Sequence, residues 1–342
     1  MRAVVFERCG GPEVLEVREL PEPAPRADEV LVEVRACGVN HLDLWVRRGL
    51  PGLEPEMPHV LGSDVAGVVA RAGEAVRHVR PGDRVLVNPT LSCGACDVCA
   101  AGDDHLCREH DVLGRRRNGG YAAYVAVPGR NVLPCPARLS FEEAAAVPLV
   151  FMTAWHMLVG RARVRPGETV LVVGAGSGVG SAAIQIAKLH GARVIATAGG
   201  AAKLERARAL GADEAVDHAA GDFAPAVRAL TGRRGVDVAV EHVGGAVFEQ
   251  TLAALARDGR LVTCGATAGG RASLDLNLLF GRHLAVLGSW MGRKADLVEA
   301  LRFVADGRLR PVLDSVLPLA EARRAHARIE AREHFGKVVL VP

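Results

Sequence analysis

The sequence predicts an α/β protein of two domains, one rich in strands and one built on a doubly wound parallel sheet. Three observations carry this. Short β-branched runs fill the first part with no long helical period between them. From about Ser140 strand and helix patterns alternate. A glycine-rich turn follows the first strand of that alternation and opens a helix.

In the first part the strands are ADEVLVEVRACGV, DVAGVVARAG, GDRVLV and YAAYVAV, punctuated by Gly, Pro and Asp. The alternating part begins with strand GETVLVV and helix SGVGSAAIQIAKLHG, closed by Gly191, and strand ARVIATA follows. Helix KLERARALG, strand EAVDH, helix FAPAVRALTG, strand VDVAVEHV, helix VFEQTLAALARDG and strand RLVTCG continue it, and HLAVLGSW supplies a sixth strand. This pattern means a parallel sheet with helices on both faces. The last stretch holds helix ADLVEALRFVADG, a second helix and the strand GKVVLVP. It is too short for a domain and is expected to rejoin the first part. The expected boundaries are 1–134 with 291–342 for the strand-rich domain and 135–290 for the parallel-sheet domain.

Composition narrows the function classes. The chain has 342 residues, enough for about two ordinary domains. With 49% hydrophobic and 24% charged residues it is not intrinsically disordered. A net charge of +3, from interspersed basic and acidic residues, argues against nucleic acid or an anionic membrane as partner and leaves a small-molecule substrate. No apolar run is read as a membrane span, and MRAVVFERCGG lacks a signal peptide's apolar centre, so the expected location is the cytoplasm.

The turn reads Gly174-Ala175-Gly176-Ser177-Gly178-Val179-Gly180. A dinucleotide's pyrophosphate needs backbone N–H groups at a helix N-terminus and no side chains in the way. A tight strand-to-helix turn without ligand is the plainer reading, and the βαβ context favours the nucleotide. An NAD site usually carries Asp or Glu at the end of the second strand to bind the ribose 2′-OH. Here that strand ends Ala196-Thr197-Ala198-Gly199-Gly200, and no acid appears before Glu205. NADP(H) is therefore expected over NAD(H), with Lys203 or Arg206 facing the 2′-phosphate. The alternative for Lys203 is an ordinary solvated helix charge.

Four of the eight cysteines, Cys93, Cys96, Cys99 and Cys107, fall close together in a lobe of about residues 90–110. Cys₄ sets suit tetrahedral Zn²⁺, and four protein ligands leave no open position for chemistry. One structural zinc per chain is expected, and an iron–sulfur cluster has similar spacing.

A dinucleotide domain following a β-rich domain with a Cys₄ loop resembles the medium-chain dehydrogenase/reductase superfamily, over essentially the whole chain. The resemblance implies a GroES-like β-rich catalytic domain, a Rossmann doubly wound parallel sheet, a cleft between them, and hydride transfer to or from nicotinamide. The Cys₄ loop resembles the structural-zinc lobe of zinc alcohol dehydrogenases. Their catalytic-zinc positions differ here. The ligand cysteine of G-[IV]-C-x-[ST]-D is Asn40 in Gly38-Val39-Asn40-His41-Leu42-Asp43, the ligand histidine of G-H-E is Ser63 in Gly62-Ser63-Asp64, and the third ligand falls on Leu149, four residues before Thr153. The run VNHLD with Arg47-Arg48-Gly49, and the GAGSGVG turn, are similar to the zinc-free quinone oxidoreductases, although many of those carry Tyr where Trp45 stands.

What the resemblance implies is a zinc-independent NADPH reductase of a quinone or α,β-unsaturated carbonyl. Asn40 is the first candidate to bind the developing oxyanion, with Ser63 and His41 behind it, and Asp43 orients its neighbours. Thr153 and Thr197 are expected against the cofactor, His218 and Arg332 toward the adenosine phosphate, and Val243, Gly265 and Trp290 beside the nicotinamide. The alternative is an NAD(P)-dependent alcohol dehydrogenase with a rearranged zinc held among Cys37, His41, His59, Asp64 and His156. A non-enzymatic nucleotide-binding protein is a third reading. A homodimer or homotetramer is implied, through edge pairing of the sixth strand, His283–Trp290.

Overall fold

Val30, Leu31, Val32, Val34, Ala36 and Cys37 are all buried, so the strand that carries them, Glu29–Gly38, packs on both faces and runs through the middle of a sheet. It pairs antiparallel with Asp64–Ala72, with Tyr124–Pro128 and with the last strand, Lys337–Val341. The register sets Gly38 opposite both Asp64 and Val339. Distant parts of the sequence therefore meet at one end of this strand. A computed structural model describes all residues, Met1–Pro342, in two compact units: Met1–Leu149 with Arg293–Ala305 and Pro311–Pro342, and Val150–Gly292 with Asp306–Arg310.

In the first unit a seven-stranded sheet is joined by a three-stranded and a two-stranded one. The expected boundary at residue 134 moves to 149, because the helix Phe141–Ala144 packs on the strands Glu29–Gly38 and Asp64–Ala72. A helix also interrupts the strand-rich part at His41–Arg48, which the sequence reading passed over. It is short, lies between Gly38 and Gly49, and is held at its start by Asp43, whose Oδ2 accepts from the Asn40 N–H at 2.8 Å.

The second unit carries six parallel strands in the spatial order third, second, first, fourth, fifth, sixth. These are Thr169–Val172, Arg193–Ala198, Glu214–Asp217, Val236–Glu241, Leu255–Thr263 and Ala285–Gly288. The chain runs outward from the first strand, returns, and runs outward the other way from the fourth. Ligands of such sheets bind at the carboxyl ends where that direction switches. Two local readings change. Leu255–Gly259, expected at a helix end, begins the fifth strand, because Leu255 pairs with Val236. The sixth strand is shorter than His283–Trp290, since His283 has φ of +55° and Trp290 lies beyond Gly288. The stretch Phe141–Arg161 is, contrary to the sequence reading, long and apolar enough to cross a membrane, but 78% of it is buried inside the protein. That is how a core helix of a folded protein looks.

The glycine turn has a steric reason for its last glycine. A Cβ on Gly180 would stand 2.4 Å from Gly174 O and 2.9 Å from Ala175 Cα, both backbone atoms with nowhere to go. Ser177 caps the helix Gly178–Leu189, its Oγ accepting from the Gly180 N–H at 2.8 Å. Gly180→Ala is expected to cost about 1–3 kcal/mol through overpacking. The check is a lowered Tm, with a weakened dinucleotide affinity because the turn must open.

Candidate active site

The site of the first unit is built around a buried ammonium. Lys337 Nζ donates to Val39 O at 2.9 Å, to Asn40 Oδ1 at 2.6 Å and to Asp64 Oδ2 at 2.8 Å, so all three of its protons are used. Lys337 and Asp64 are 4% and 0% exposed as side chains, so neither charge has water to turn to. Asp64 Oδ1 accepts from the Leu149 N–H at 2.8 Å. The Asn40 amide closes the set: Nδ2 donates to Asp64 Oδ2 at 3.0 Å and lies 3.4 Å from Gly38 O. Both of its protons and its carbonyl are thereby committed inside the protein. Asn40 is a link in the network, which departs from its expected place as first oxyanion donor. Ser63 is different. Its hydroxyl is buried and has no hydrogen-bond partner. His41 is half-buried, beside Trp45 and His334 with ring centroids 6.2 and 6.3 Å away.

Asp43 anchors a second chain of groups that sequence spacing did not reveal. Its carboxylate accepts from the Asn40 N–H, from the Gly62 N–H at 3.2 Å and from Tyr121 Oη at 3.1 Å. Tyr121 meets His326 Nε2 at 3.1 Å, and Arg47 meets His326 Nδ1 at 3.0 Å. Arginine can only donate, so Nδ1 accepts and Nε2 carries the imidazole proton. The Tyr121 oxygen then accepts from His326, and its hydroxyl donates a hydrogen bond to Asp43. Arg47, fully buried, is neutralised by Glu330. Burial dominates the titration of these groups: it pushes Asp43 up to about 6 and the thiol of Cys37 well above its usual value. It also holds His326 down to about 3, helped by the nearby charges of Arg47 and Arg48. Gly62 is required where it stands, at φ of +104°, because a Cβ would lie 2.5 Å from the Tyr121 ring and 2.7 Å from Cys37 Sγ.

The four lobe thiols converge. Cys93–Cys99, Cys96–Cys107 and Cys93–Cys107 sulfurs are 3.9, 3.8 and 3.6 Å apart, and all four lie within 4.8 Å of one another. Zn–S bonds of about 2.3 Å put the sulfurs of a tetrahedron about 3.8 Å apart, so this donor set fits zinc. The N–H groups of Ala95 and Cys96 pull the Cys93 thiol down to about 6, toward the thiolate a metal needs. Two of the other candidate ligands are otherwise engaged: His59 Nε2 lies 3.0 Å from Gly114 O, and the Asp64 carboxylate is spent on Lys337, Asn40 and Leu149.

In the second unit, Thr197 joins the end of the second strand to the glycine turn. Its Oγ1 accepts from the Gly174 N–H at 3.3 Å, and its carbonyl accepts from the Ala175 N–H at 2.8 Å. His218 Nδ1 meets the same hydroxyl at 3.1 Å, which brings His218 beside Gly199. The structure therefore gathers Gly174, Gly176, Ser177, Gly178, Val179, Gly180, Thr197 and His218 around one turn. Val243 and Gly265 follow the fourth and fifth strands, and Thr153 Oγ1 is buried without a partner. Trp290 is 49% exposed beyond the sixth strand. Lys203 lies on the helix Ala201–Ala209, and Arg332, at φ of +55°, belongs to the first unit. Two residues were missed. Asp217 Oδ1 accepts from the Gly200 N–H at 3.3 Å, bringing a carboxylate to the strand end that looked free of acid. His242 is buried against Gly174. Neither has a sequence signal, because each comes from a neighbouring strand.

The pH dependence of stability follows from His326. Its folded-state value lies far below the unfolded one, so the unfolded chain takes up a proton near pH 6.5 that the fold refuses. Asp43, shifted upward by less, works in the opposite sense between about 6 and 4. Melting temperature is expected to fall as pH drops from about 6.5 toward 4. His326→Gln, which keeps an acceptor and a donor without a titratable ring, should be less stable at pH 7 and show a flatter acid decline.

Known proteins resemble this chain along its length. The zinc-binding dehydrogenase family model matches residues 178–306, and the alcohol dehydrogenase GroES-like domain matches residues 26–137. The alcohol dehydrogenase of Geobacillus stearothermophilus is 34% identical, across 99% of both chains. The quinone oxidoreductase of Rattus norvegicus is 30% identical, across 100% of this chain and 98% of its own. A crystal structure of an NAD-dependent alcohol dehydrogenase is 52% identical and matches at a TM-score of 0.97, with 100% of both chains covered. With its GroES-like part, its Rossmann-like parallel sheet and these relatives, the chain belongs to the medium-chain dehydrogenase/reductase superfamily and is an NAD(P)H-dependent oxidoreductase.

Proposed function

We propose that the protein reduces an activated carbonyl, a quinone or an α,β-unsaturated ketone, aldehyde or ester, without a catalytic zinc. The observation that carries this is the state of the three ligand positions. Asn40 is saturated with hydrogen bonds, Ser63 is a neutral hydroxyl, and Leu149 has no side-chain ligand atom while its N–H is bonded to Asp64. The adjacent carboxylate is already neutralised by Lys337. A cation has little to hold it there.

When bound, the nicotinamide supplies the hydride. Conjugation spreads the negative charge that follows onto the carbonyl oxygen, which needs a hydrogen bond more than a Lewis acid. Ser63 is the donor we assign, because its hydroxyl is desolvated and uncommitted. Asn40 and Asp43 act by positioning: Asp43 holds the Gly62 N–H immediately before Ser63, and Asn40 holds Asp64 and Lys337 together. The Cys₄ lobe takes one zinc as a cross-link between short segments that bury few apolar side chains. The eight unpaired thiols suit the reducing cytoplasm. A second copy of the chain suits the free edge of the strand Ala285–Gly288, where Leu276, Phe280, Val286 and Trp290 are exposed.

The second reading, an alcohol dehydrogenase with a rearranged zinc, is favoured by the names of several relatives. Zinc content separates the two. One zinc per chain, turnover of quinones or enones and very slow oxidation of simple alcohols are expected; a second stoichiometric zinc bound outside the Cys₄ lobe would overturn the proposal. Ser63→Ala should lower enone turnover about a hundredfold with no loss of Tm, since that hydroxyl bonds nothing within the chain.

Dinucleotide choice is assigned to Asp217. The expectation of NADP(H) rested on an acid-free strand end, and the Asp217 carboxylate beside Gly200 removes that ground. A carboxylate there repels a 2′-phosphate, so NAD(H) should serve at least as well as NADP(H). Asp217→Asn is expected to shift the ratio of kcat/KM toward NADPH by roughly tenfold or more, and an unchanged ratio would exclude Asp217 from the choice.

A further inference from the structure

The fourth strand ends at Glu241, and the next residue enters the sheet's switch point. First and fourth strands are neighbours, paired through Val172 and Val240, and beyond them the chain order diverges to either side. His242 therefore sits at the carboxyl ends of the two strands between which a dinucleotide's two halves separate. Its ring leans on the glycine turn: Nε2 and Cε1 would stand 3.1 and 3.2 Å from a Cβ built on Gly174. Its backbone lies against Gly265, after the fifth strand, with its carbonyl 3.1 Å from the corresponding Cβ position there. Gly174 thus leaves room for this imidazole, and Gly265 for the backbone that carries it.

The side chain is 91% withdrawn from solvent, and Nδ1 has no hydrogen-bond partner. A buried ring nitrogen left unpaired is costly and rarely persists without a purpose. Leucine or valine would fill the same space without that cost. The neighbouring acid does not supply the missing partner. Glu241 spends its carboxylate on the N–H groups of Val243 and Gly244, at 2.5 and 2.6 Å, and on the Thr263 hydroxyl at 2.9 Å. Cys264, half-buried nearby, is held as a neutral thiol, its value pushed up to about 12 by desolvation and by Glu241. Burial alone keeps His242 down to about 4, so at neutral pH it presents one N–H and one lone pair.

We propose that His242 donates a hydrogen bond to the bound dinucleotide, at the oxygens where the diphosphate bridge meets the nicotinamide-side ribose. This rests on the dinucleotide site at the glycine turn. It adds a contact made from the fourth strand, on the opposite side from Asp217, so the contact is blind to the 2′-position. The same bond should be made to NAD(H), to NADP(H) and to ADP-ribose, which keeps the bridge and both riboses. AMP, which lacks the bridge and the second ribose, should not feel it.

Equilibrium titration of the whole protein with NADH, NADPH, ADP-ribose and AMP tests the proposal, alongside the Tm of each unliganded variant. His242→Val should weaken NADH, NADPH and ADP-ribose alike by about tenfold, the size expected for a hydrogen bond to a charged group. It should leave AMP unchanged and the unliganded Tm equal or higher, because an unpaired buried ring has been removed. His242→Gln, which keeps an N–H, should recover most of the affinity. Unchanged dinucleotide affinity in His242→Val would overturn the proposal, as would an equal loss for AMP, which marks a merely structural role. Loss for the dinucleotides with ADP-ribose unaffected would move the contact to the nicotinamide ring and also overturn it. Failure of the unmodified protein to bind ADP-ribose would instead remove the dinucleotide site itself.

Discussion

The ion pair between Lys337 and Asp64 holds the first unit's site in its present form. Two charges this far from water are costly to bury, and such a pair persists only where every remaining proton and lone pair is met. Here each is. The ammonium has three oxygens around it, and the carboxylate takes Lys337, Asn40 and the Leu149 N–H. Removing either partner strands the other, so the residues around them are constrained in type as well as place. Asn40 must offer an acceptor to Lys337 and a donor to Asp64 at once, and an amide does both with two separate atoms.

That constraint explains why the site was only partly legible. The residues themselves were visible, since Asn40, Ser63 and Asp64 occupy motif positions along the chain. Their relations were not. Nothing in the spacing says that a lysine 273 positions later completes the set, or that His326 reaches Tyr121 across 205 positions. Asn40 stood first as oxyanion donor because its partners, which arrive through sheet register with Gly38 between Asp64 and Val339, leave no trace in the spacing. Ser63, ranked lower from sequence, rises because burial and the lack of a partner are properties of the fold alone.

The parallel sheet was easier. Alternating apolar strands and amphipathic helices encode such a sheet locally, and the cysteine spacing likewise marks its lobe because the ligands are near neighbours in sequence. What the alternation does not encode is which side chains from adjacent strands meet at the carboxyl edge. Asp217 comes from the strand beside the second and His242 from the strand beside the first, and both bear on how a dinucleotide would be held. The exact ends of strands were also obscured, since Leu255 reads equally well as the last turn of a helix or the first residue of a strand.

The place of Lys337 in the last strand also bears on how the protein is made. Synthesis is vectorial, so Asn40 and Asp64 emerge early, and the whole segment of the second unit, Val150–Gly292, follows before Lys337 appears. Until then the Asp64 carboxylate has no counterion, and the strand Glu29–Gly38 lacks one of its neighbours. Until the last strand is made, the first unit therefore lacks a strand beside Glu29–Gly38, while the segment Val150–Gly292 already has all six strands of its parallel sheet. The site closes as a late act of assembly, when the final strand is threaded beside residues made hundreds of codons earlier.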